Sequence, residues 1–137
     1  MRRYLLDTQA AVWLINGDSR LPQTIRENIE YRTYRYTVSA ISMMEIVQLM
    51  ALHKISTKPL NKIEEALMDY DVDIIGLNIE ILETLQKLPM LTINGKLHSD
   101  PFDRLLIAIC ITYKFTMVSA DLKFPAYRKY GLTLIEI

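Results

Sequence analysis

Two aspartates, Asp100 and Asp103, flank a proline and stand directly before an apolar run. Carboxylates of this kind can bind hard divalent cations, and they can move protons during hydrolysis. Helix capping is the simpler explanation: Pro101 suits the first helical position, which makes Asp100 the N-cap and places Asp103 in the first turn, near the positive end of the helix dipole. Caps far outnumber active sites, so a chemical role requires other acids at the same place.

The segment behind this pair must hold it in position. Every side chain from 105 to 111 is apolar, which predicts a helix that is buried on nearly all sides. A short strand is predicted at 115–118, with Asp121 just beyond its end. Because the helix runs antiparallel to this strand, its first turn lies at the edge where the strand ends. Asp103 and Asp121 are therefore expected at one edge of a sheet.

Strands and helices alternate along the whole chain. The predicted strands cover 4–6, 34–38, 72–77, 115–118 and 132–137, and the predicted helices cover about 9–15, 22–31, 41–52, 60–70, 79–88, a segment starting at 101, and 124–129. Residues 89–99 are predicted to be irregular, with a turn at Asn94-Gly95. This alternation favours an α/β fold with a mostly parallel sheet covered on both faces. No Pro- or Gly-rich linker interrupts it, so we expect a single domain over 1–137.

Four acids from four separate segments are expected at one edge of this sheet. Asp7 closes the first strand, and Glu45 lies early in the helix after the second strand, so both join Asp103 and Asp121. Capping alone does not explain why all four meet. With no lysine or arginine assigned to the group, either some carboxyls keep their protons or a divalent cation lies among them. Oxygen ligands suit Mg²⁺ or Mn²⁺ better than zinc, and such a site favours phosphodiester hydrolysis.

Composition excludes several classes of protein. The single cysteine, Cys110, rules out a disulfide framework and a thiolate zinc site. Sixteen basic and sixteen acidic residues cancel, so nucleic-acid binding would need a local patch. Lys123, Arg128 and Lys129 could form such a rim or simply a solvated surface. The opening residues lack the apolar run of a signal peptide and no segment reaches membrane-spanning length, so we expect a soluble cytoplasmic protein without a membrane partner.

Four segments together resemble the motifs of PIN-domain ribonucleases, specifically VapC-type toxins of bacterial toxin–antitoxin pairs. In chain order they are Leu5-Leu6-Asp7-Thr8, the segment Ser39-Ala40-Ile41-Ser42-Met43-Met44-Glu45-Ile46, the segment Asp100-Pro101-Phe102-Asp103-Arg104-Leu105-Leu106-Ile107-Ala108, and Ser119-Ala120-Asp121. The third is the most specific of them. All four occur in the order and spacing of that family, and the resemblance covers essentially the whole chain.

The resemblance implies a PIN-like three-layer α/β/α domain with a five-stranded, mostly parallel sheet. It also implies an Mg²⁺-dependent endoribonuclease, with Mn²⁺ as a possible substitute, that inhibits translation and growth, forms a homodimer and is neutralised by a small antitoxin. Two alternatives stay open: a catalytically inactive PIN-like binding module, and a housekeeping RNA-processing nuclease without an antitoxin. A phosphoacceptor receiver domain is set aside because the end of the third strand, Gly76-Leu77-Asn78, offers no aspartate.

The four acids, Asp7, Glu45, Asp103 and Asp121, form the predicted catalytic set. Asp7 and Asp103 are the predicted direct metal ligands, and Asp121 is expected to reach the metal through a water or a second ion. Glu45 either ligates the metal or orients the attacking water as general base. Asp100 caps its helix in this interpretation, and an additional role as metal ligand is left open.

Three more residues are predicted to support the acids. Thr8 and Ser119 could hydrogen-bond a carboxylate or a phosphate, or they could cap turns. Arg104 could clamp a phosphate or hold a neighbouring carboxylate, with an ion pair on an exposed face as the alternative. His98 precedes the third motif, but because His53 lies far away in the chain no histidine pair is predicted, and His98 is expected to be an ordinary loop residue.

Overall fold

The computed structural model describes residues 2–137 and shows an α/β fold with a five-stranded parallel sheet. The strands are β1 (Arg3–Leu6), β2 (Arg35–Ser39), β3 (Asp73–Ile75), β4 (Thr92–Ile93), β5 (Lys96–Leu97), β6 (Thr116–Ser119) and β7 (Thr133–Glu136). The helices are α1 (Thr8–Asn16), α2 (Gln23–Glu30), α3 (Ala40–Ala51), α4 (Leu60–Asp69), α5 (Ile79–Lys87), α6 (Pro101–Tyr113) and a 3₁₀ helix (Phe124–Tyr130). The predicted fold class is confirmed.

In the strand order β3-β2-β1-β6-β7, successive strands are added on one side of β1 and later on its other side, which makes the gap between β1 and β6 a topological switch point. From β1 the chain proceeds outward through β2 to β3, and it then returns to place β6 on the other side of β1. The backbone N–H of Asp7 donates to the carbonyl of Val118 at 3.1 Å and ties the ends of β1 and β6 together. Ligands of open parallel sheets bind beyond the carboxyl ends of the strands at such a switch point.

Helices cover both faces of the sheet. Leu6 and neighbouring side chains on one face pack against α1, α2, α3 and α4. Leu5 and Met117 on the other face pack against α5, α6 and the 3₁₀ helix. Because successive side chains of a strand point to opposite faces, a strand buried on both faces is apolar at every position, as the run of Leu5 and Leu6 shows.

Helix α6 has the cap that the sequence predicts. Pro101 is its first residue, and the Asp100 carboxylate accepts hydrogen bonds from the backbone N–H groups of Phe102 at 2.9 Å and Asp103 at 3.1 Å. The side chains of 106–110 are all buried, which confirms the prediction of a helix buried on nearly all sides. The buried helix therefore holds its first turn at a fixed place on the sheet edge.

The segment 89–99 differs from the prediction, because it contains the antiparallel hairpin β4–β5 rather than irregular chain. Asn94 and Gly95 form its turn, with φ values of 53° and 79°. Two residues with positive φ are what a two-residue type I′ hairpin requires, and Asn-Gly is its preferred sequence. Each strand has only two residues, too few for a visible alternation of apolar and polar side chains. Within residues 2–137, no helix is both long and apolar enough to span a bilayer.

Candidate active site

A cleft opens where the carboxyl ends of β1 and β6 meet the first turn of α6. All four acids of the predicted catalytic set line it, namely Asp7, Glu45, Asp103 and Asp121. They come from the end of β1, the second turn of α3, the first turn of α6 and the loop after β6. The structure therefore brings together in one cleft the side chains that the sequence placed at one edge of the sheet.

Asp7 is the most deeply buried of the four, with 5% of its surface exposed. One carboxylate oxygen, Oδ1, accepts from the backbone N–H of Ala10 at 2.8 Å and so caps α1, while Oδ2 accepts from the hydroxyl of Ser119. Burial raises the pKa of Asp7, the bonds from Ser119 and Ala10 oppose this, and the negative charges of Asp121 and Asp103 raise it further. Capping and a place in the cleft are thus compatible for one carboxylate.

Glu45 is held by a pair of hydroxyls. The Thr8 hydroxyl donates to Oε1 of Glu45 at 2.7 Å, and it lies 2.9 Å from the hydroxyl of Ser42. Because Thr8 has a single hydroxyl proton, Ser42 is the donor in the second contact. Burial raises the pKa of Glu45, the bond from Thr8 lowers it, and the negative charge of Asp103 adds to the increase. Thr8 therefore bonds a carboxylate, one of the two contacts the sequence suggested.

Asp103 has a partner that sequence reasoning missed. Its Oδ2 lies 3.0 Å from Nε2 of His98, and Nδ1 of the same ring lies 2.6 Å from the hydroxyl of Tyr127. His98 and Tyr127 are both buried, so the expectation of an ordinary loop histidine is wrong. Burial raises the pKa of Asp103, and the bond from His98 opposes it. The position of His98 just before the third motif was the available signal, whereas Tyr127 has none in the sequence.

Asp121 is paired with a lysine. Its Oδ1 accepts from the backbone N–H of Lys123 at 2.9 Å, and its Oδ2 lies 3.0 Å from Nζ of the same residue. The backbone N–H of Asp121 donates to the hydroxyl of Ser119, which also bonds Asp7. The acids therefore do have a basic neighbour, contrary to the expectation from sequence. Arg128 points elsewhere, to Glu136 at 3.0 Å, so it does not join Lys123 in a continuous basic rim.

Arg104 does not reach the cleft as a clamp. It is buried, and its guanidinium donates to the carbonyl of Leu88 at 2.9 Å and to that of Pro89 at 3.0 Å. The suggestion that Arg104 forms an ion pair on an exposed face is therefore wrong. Its hydrogen bonds to these two carbonyls do not support the other two suggested roles, a phosphate clamp or a partner of a cleft carboxylate. The carbonyls just after α5 have no hydrogen-bond partner in their own helix, which explains why the buried guanidinium of Arg104 is held there.

Asp100 remains at the rim as the exposed cap of α6. Its negative charge raises the pKa values of Asp103 and Glu45, so its carboxylate is close enough to influence the group. Both of the hydrogen bonds described for it go to backbone N–H groups of its own helix. The cap is confirmed, and a role as metal ligand stays a prediction.

The model of the family described as PIN domain matches residues 4–130. The chain belongs to the PIN domain family. Solved structures similar to this PIN domain include VapBC2 from Rickettsia felis bound to a promoter DNA fragment (TM-score 0.65, 19% identity, 98% of each chain covered). A DNA-bound VapBC from Salmonella typhimurium (0.63, 18%, covering 99% of this chain and 98% of the other) and a toxin–antitoxin complex from Klebsiella pneumoniae (0.62, 18%, 98% and 99%) are similar too. At these identities the likeness establishes the fold. No curated protein matched the sequence.

PIN domains are typically metal-dependent nucleases, which makes the carboxylates of this cleft candidate metal ligands. Among residues 2–137, no three His, Cys, Asp or Glu side chains converge closely enough to form a ready-made metal site. The four acids nevertheless share one cleft, and the pKa values of Asp7, Glu45 and Asp103 are all raised, mainly by burial and in part by the other negative charges. A divalent cation would relieve both effects, and oxygen donors alone suit Mg²⁺ or Mn²⁺. In its chemistry, this set of four carboxylates fits such a cation.

Proposed function

We propose that this PIN domain is an Mg²⁺-dependent endoribonuclease and the toxin of a toxin–antitoxin pair, with Mn²⁺ able to replace Mg²⁺. The observation that carries the proposal is the shared cleft: four carboxylates from four segments line it at the switch point of the sheet. A binding module would gain nothing from this group, because buried carboxylates that repel one another oppose folding. Support for the nuclease class comes from membership of the PIN domain family.

Each acid has a role that follows from its surroundings. Asp7 and Asp103 would hold the cation directly, since both carboxylates are already oriented: Asp7 by hydrogen bonds to both of its oxygens, and Asp103 by a hydrogen bond to Oδ2. Asp121 would contribute through a water or a second ion. When bound, the cation would supply positive charge that stabilises the departing oxygen of the phosphodiester. Glu45, whose pKa is raised mainly by burial, would accept the proton of the attacking water, with its Oε1 oriented by Thr8.

The toxin role extends the proposal to partners. The similar structure from Klebsiella pneumoniae is a toxin–antitoxin complex, and the one from Rickettsia felis is VapBC2, which supports a small antitoxin as the partner of this chain. A ribonuclease that stops translation would act in the cytoplasm.

A homodimer is supported by four exposed apolar side chains within one short segment around the edge strand β3, namely Ile74, Leu77, Ile79 and Leu82. Sedimentation equilibrium measures the mass, and a monomer at micromolar concentration would contradict the dimer.

Cleavage of RNA by the purified chain is the first test. With Mg²⁺ or Mn²⁺ present we expect cleavage, and we expect EDTA or the substitution Asp7→Asn to abolish it. Asp69→Asn is the matched control, because Asp69 is exposed and precedes β3 at the opposite edge of the sheet. If the Asp7→Asn protein keeps full activity, or if the wild-type chain cleaves equally well in EDTA, the proposed site is wrong.

Growth of cells that express the chain alone is the second test. We expect arrest, relief of the arrest by Asp103→Asn, and continued arrest with the control Asp69→Asn. Metal-dependent RNA cleavage without growth arrest would instead favour a housekeeping nuclease. A chain that neither cleaves RNA nor binds a divalent cation would favour the inactive binding module.

A further inference from the structure

A chain of polar side chains runs from the interior to the cleft and ends on Asp103. Nε2 of His98 lies 3.0 Å from Oδ2 of Asp103, and Nδ1 of the same ring lies 2.6 Å from the hydroxyl of Tyr127. Burial raises the pKa of Tyr127, and the guanidinium of Arg104 opposes the increase. His98 and Arg104 are 5% and 7% exposed, and Tyr127 is fully buried. The four residues come from the loop before α6, from α6 itself and from the 3₁₀ helix, so tertiary packing assembles them.

The direction of each hydrogen bond follows from the donors available. The ionised carboxylate of Asp103 can only accept, so Nε2 of His98 carries the proton and donates to Oδ2 at 3.0 Å. A neutral imidazole with its proton on Nε2 accepts at Nδ1, so the hydroxyl of Tyr127 donates there. The sequence of donors is therefore Tyr127 to His98, and His98 to Asp103.

We propose that His98 is a positioning residue within the hydrogen-bonded series Tyr127, His98 and Asp103, called the relay below. It fixes the Asp103 carboxylate through Oδ2 so that Oδ1 is presented to the cation. The inference rests on the proposed function, because it needs Asp103 to be a metal ligand. Among residues 2–137, His98 provides the only side-chain hydrogen bond to this carboxylate, and it goes to Oδ2, which leaves Oδ1 for a ligand. Carboxylates that bind metals are commonly oriented in this way by a second hydrogen bond.

The relay also explains why a histidine is buried beside the cleft. The imidazole of His98 would oppose folding if it were buried without partners, but both ring nitrogens are bonded.

Binding of Mn²⁺ to the purified full chain, measured by isothermal titration calorimetry, tests the proposal. Loss of an orienting group typically weakens metal affinity by about 10- to 100-fold, and we expect a loss of that size for His98→Leu. We expect a smaller loss for Tyr127→Phe, which removes one hydroxyl and leaves Nδ1 unpaired. His98→Gln keeps an N–H donor at the position of Nε2 and should recover part of the affinity.

Stability in EDTA separates positioning from packing, because a merely structural role lowers the unfolding free energy without changing the Mn²⁺ affinity of the folded protein. If His98→Leu does not fold, Tyr127→Phe carries the test. Wild-type Mn²⁺ affinity in the variants that fold would overturn the proposal, and so would a Gln variant that binds no better than the Leu variant.

Asp103→Asn distinguishes this failure from failure of the proposed function. If the wild-type chain binds Mn²⁺, Asp103→Asn does not, and the His98 and Tyr127 variants bind normally, only the relay is refuted. If the wild-type chain binds no Mn²⁺ and cleaves no RNA, the proposed function is refuted and the relay with it.

Discussion

The charge of Asp7 should oppose folding when no cation is present. Burial and the neighbouring carboxylates raise its pKa in the folded protein, so ionisation is harder there than in the unfolded chain. Asp7→Asn removes the charge but keeps an oxygen that can accept from the N–H of Ala10, and asparagine is as good an N-cap as aspartate. We therefore expect the Asn variant to be more stable than the wild type at pH 7 in EDTA.

The substitution Asp7→Ala gives a magnitude, because it removes the charge and the cap together. Loss of the N-cap costs about 1 kcal/mol. In the Asn variant the side-chain amide can donate to the oxygen of the buried Ser119 hydroxyl, and the Ala variant lacks this bond, which costs roughly 1 kcal/mol more. For 137 residues at about 2.1 cal/mol/K each, the entropy of unfolding is roughly 0.29 kcal/mol/K. The Ala variant should thus melt about 7 °C below the Asn variant.

Thermal unfolding in EDTA as a function of pH measures the charge effect. Below the ordinary carboxyl pKa of 3.8 both states of the wild type are protonated, and Asp7 contributes no charge penalty. As pH rises from 3.8 through the raised pKa of the folded protein, the unfolded chain loses its proton first and the wild type loses stability. The advantage of the Asn variant should therefore grow over that window and stay constant above it.

Addition of Mg²⁺ should reduce the advantage of the Asn variant. At ten times its dissociation constant, a ligand of the folded state contributes about 1.4 kcal/mol, so the wild-type Tm should rise by roughly 5 °C. The Asn and Ala variants should respond much less. If the wild type is already more stable than the Asn variant in EDTA at pH 7, the burial of Asp7 and its repulsion by neighbouring carboxylates do not destabilise the folded protein. The physical argument for a cation in the cleft then fails.

Two further substitutions probe the supporting side chains. Thr8→Val removes the donor that lowers the pKa of Glu45, so the acidic limb of the pH profile for RNA cleavage should move to higher pH; an unchanged limb would mean that Glu45 is not the titrating base. Arg104→Met leaves the carbonyls at 88–89 without their buried donor and should lower the unfolding free energy in urea by about 2–4 kcal/mol. The exposed control Arg128→Met should cost under about 1 kcal/mol, and equal losses for both would contradict the anchoring role of Arg104.

The order of the elements was predictable because each carries a local signal. The apolar strands, the Pro101 start of α6 and its Asp100 cap depend on residues close together in sequence, and the structure confirms them. The hairpin at 92–97 was missed although its Asn94-Gly95 turn was recognised, since two-residue strands carry no periodicity.

The meeting of the four acids at one cleft followed from sequence for a geometric reason. In a parallel sheet all strands end at the same edge, so an acid after any strand, or early in the helix that follows or precedes one, arrives there. The chemical character of this edge is therefore determined before the strand order is known. The strand order added that Asp7 and Asp121 flank the switch point between β1 and β6.

What only the tertiary structure decided is the partner of each polar side chain. Arg104 and Asp103 are neighbours in sequence, but the helix turns one toward the carbonyls after α5 and the other toward the cleft. His98 and Tyr127 meet across 29 positions because the loop before α6 and the 3₁₀ helix both pack beside that helix. Hydrogen bonds depend on distances of a few tenths of an ångström between groups far apart in the chain, and no local pattern of residue types encodes such a distance.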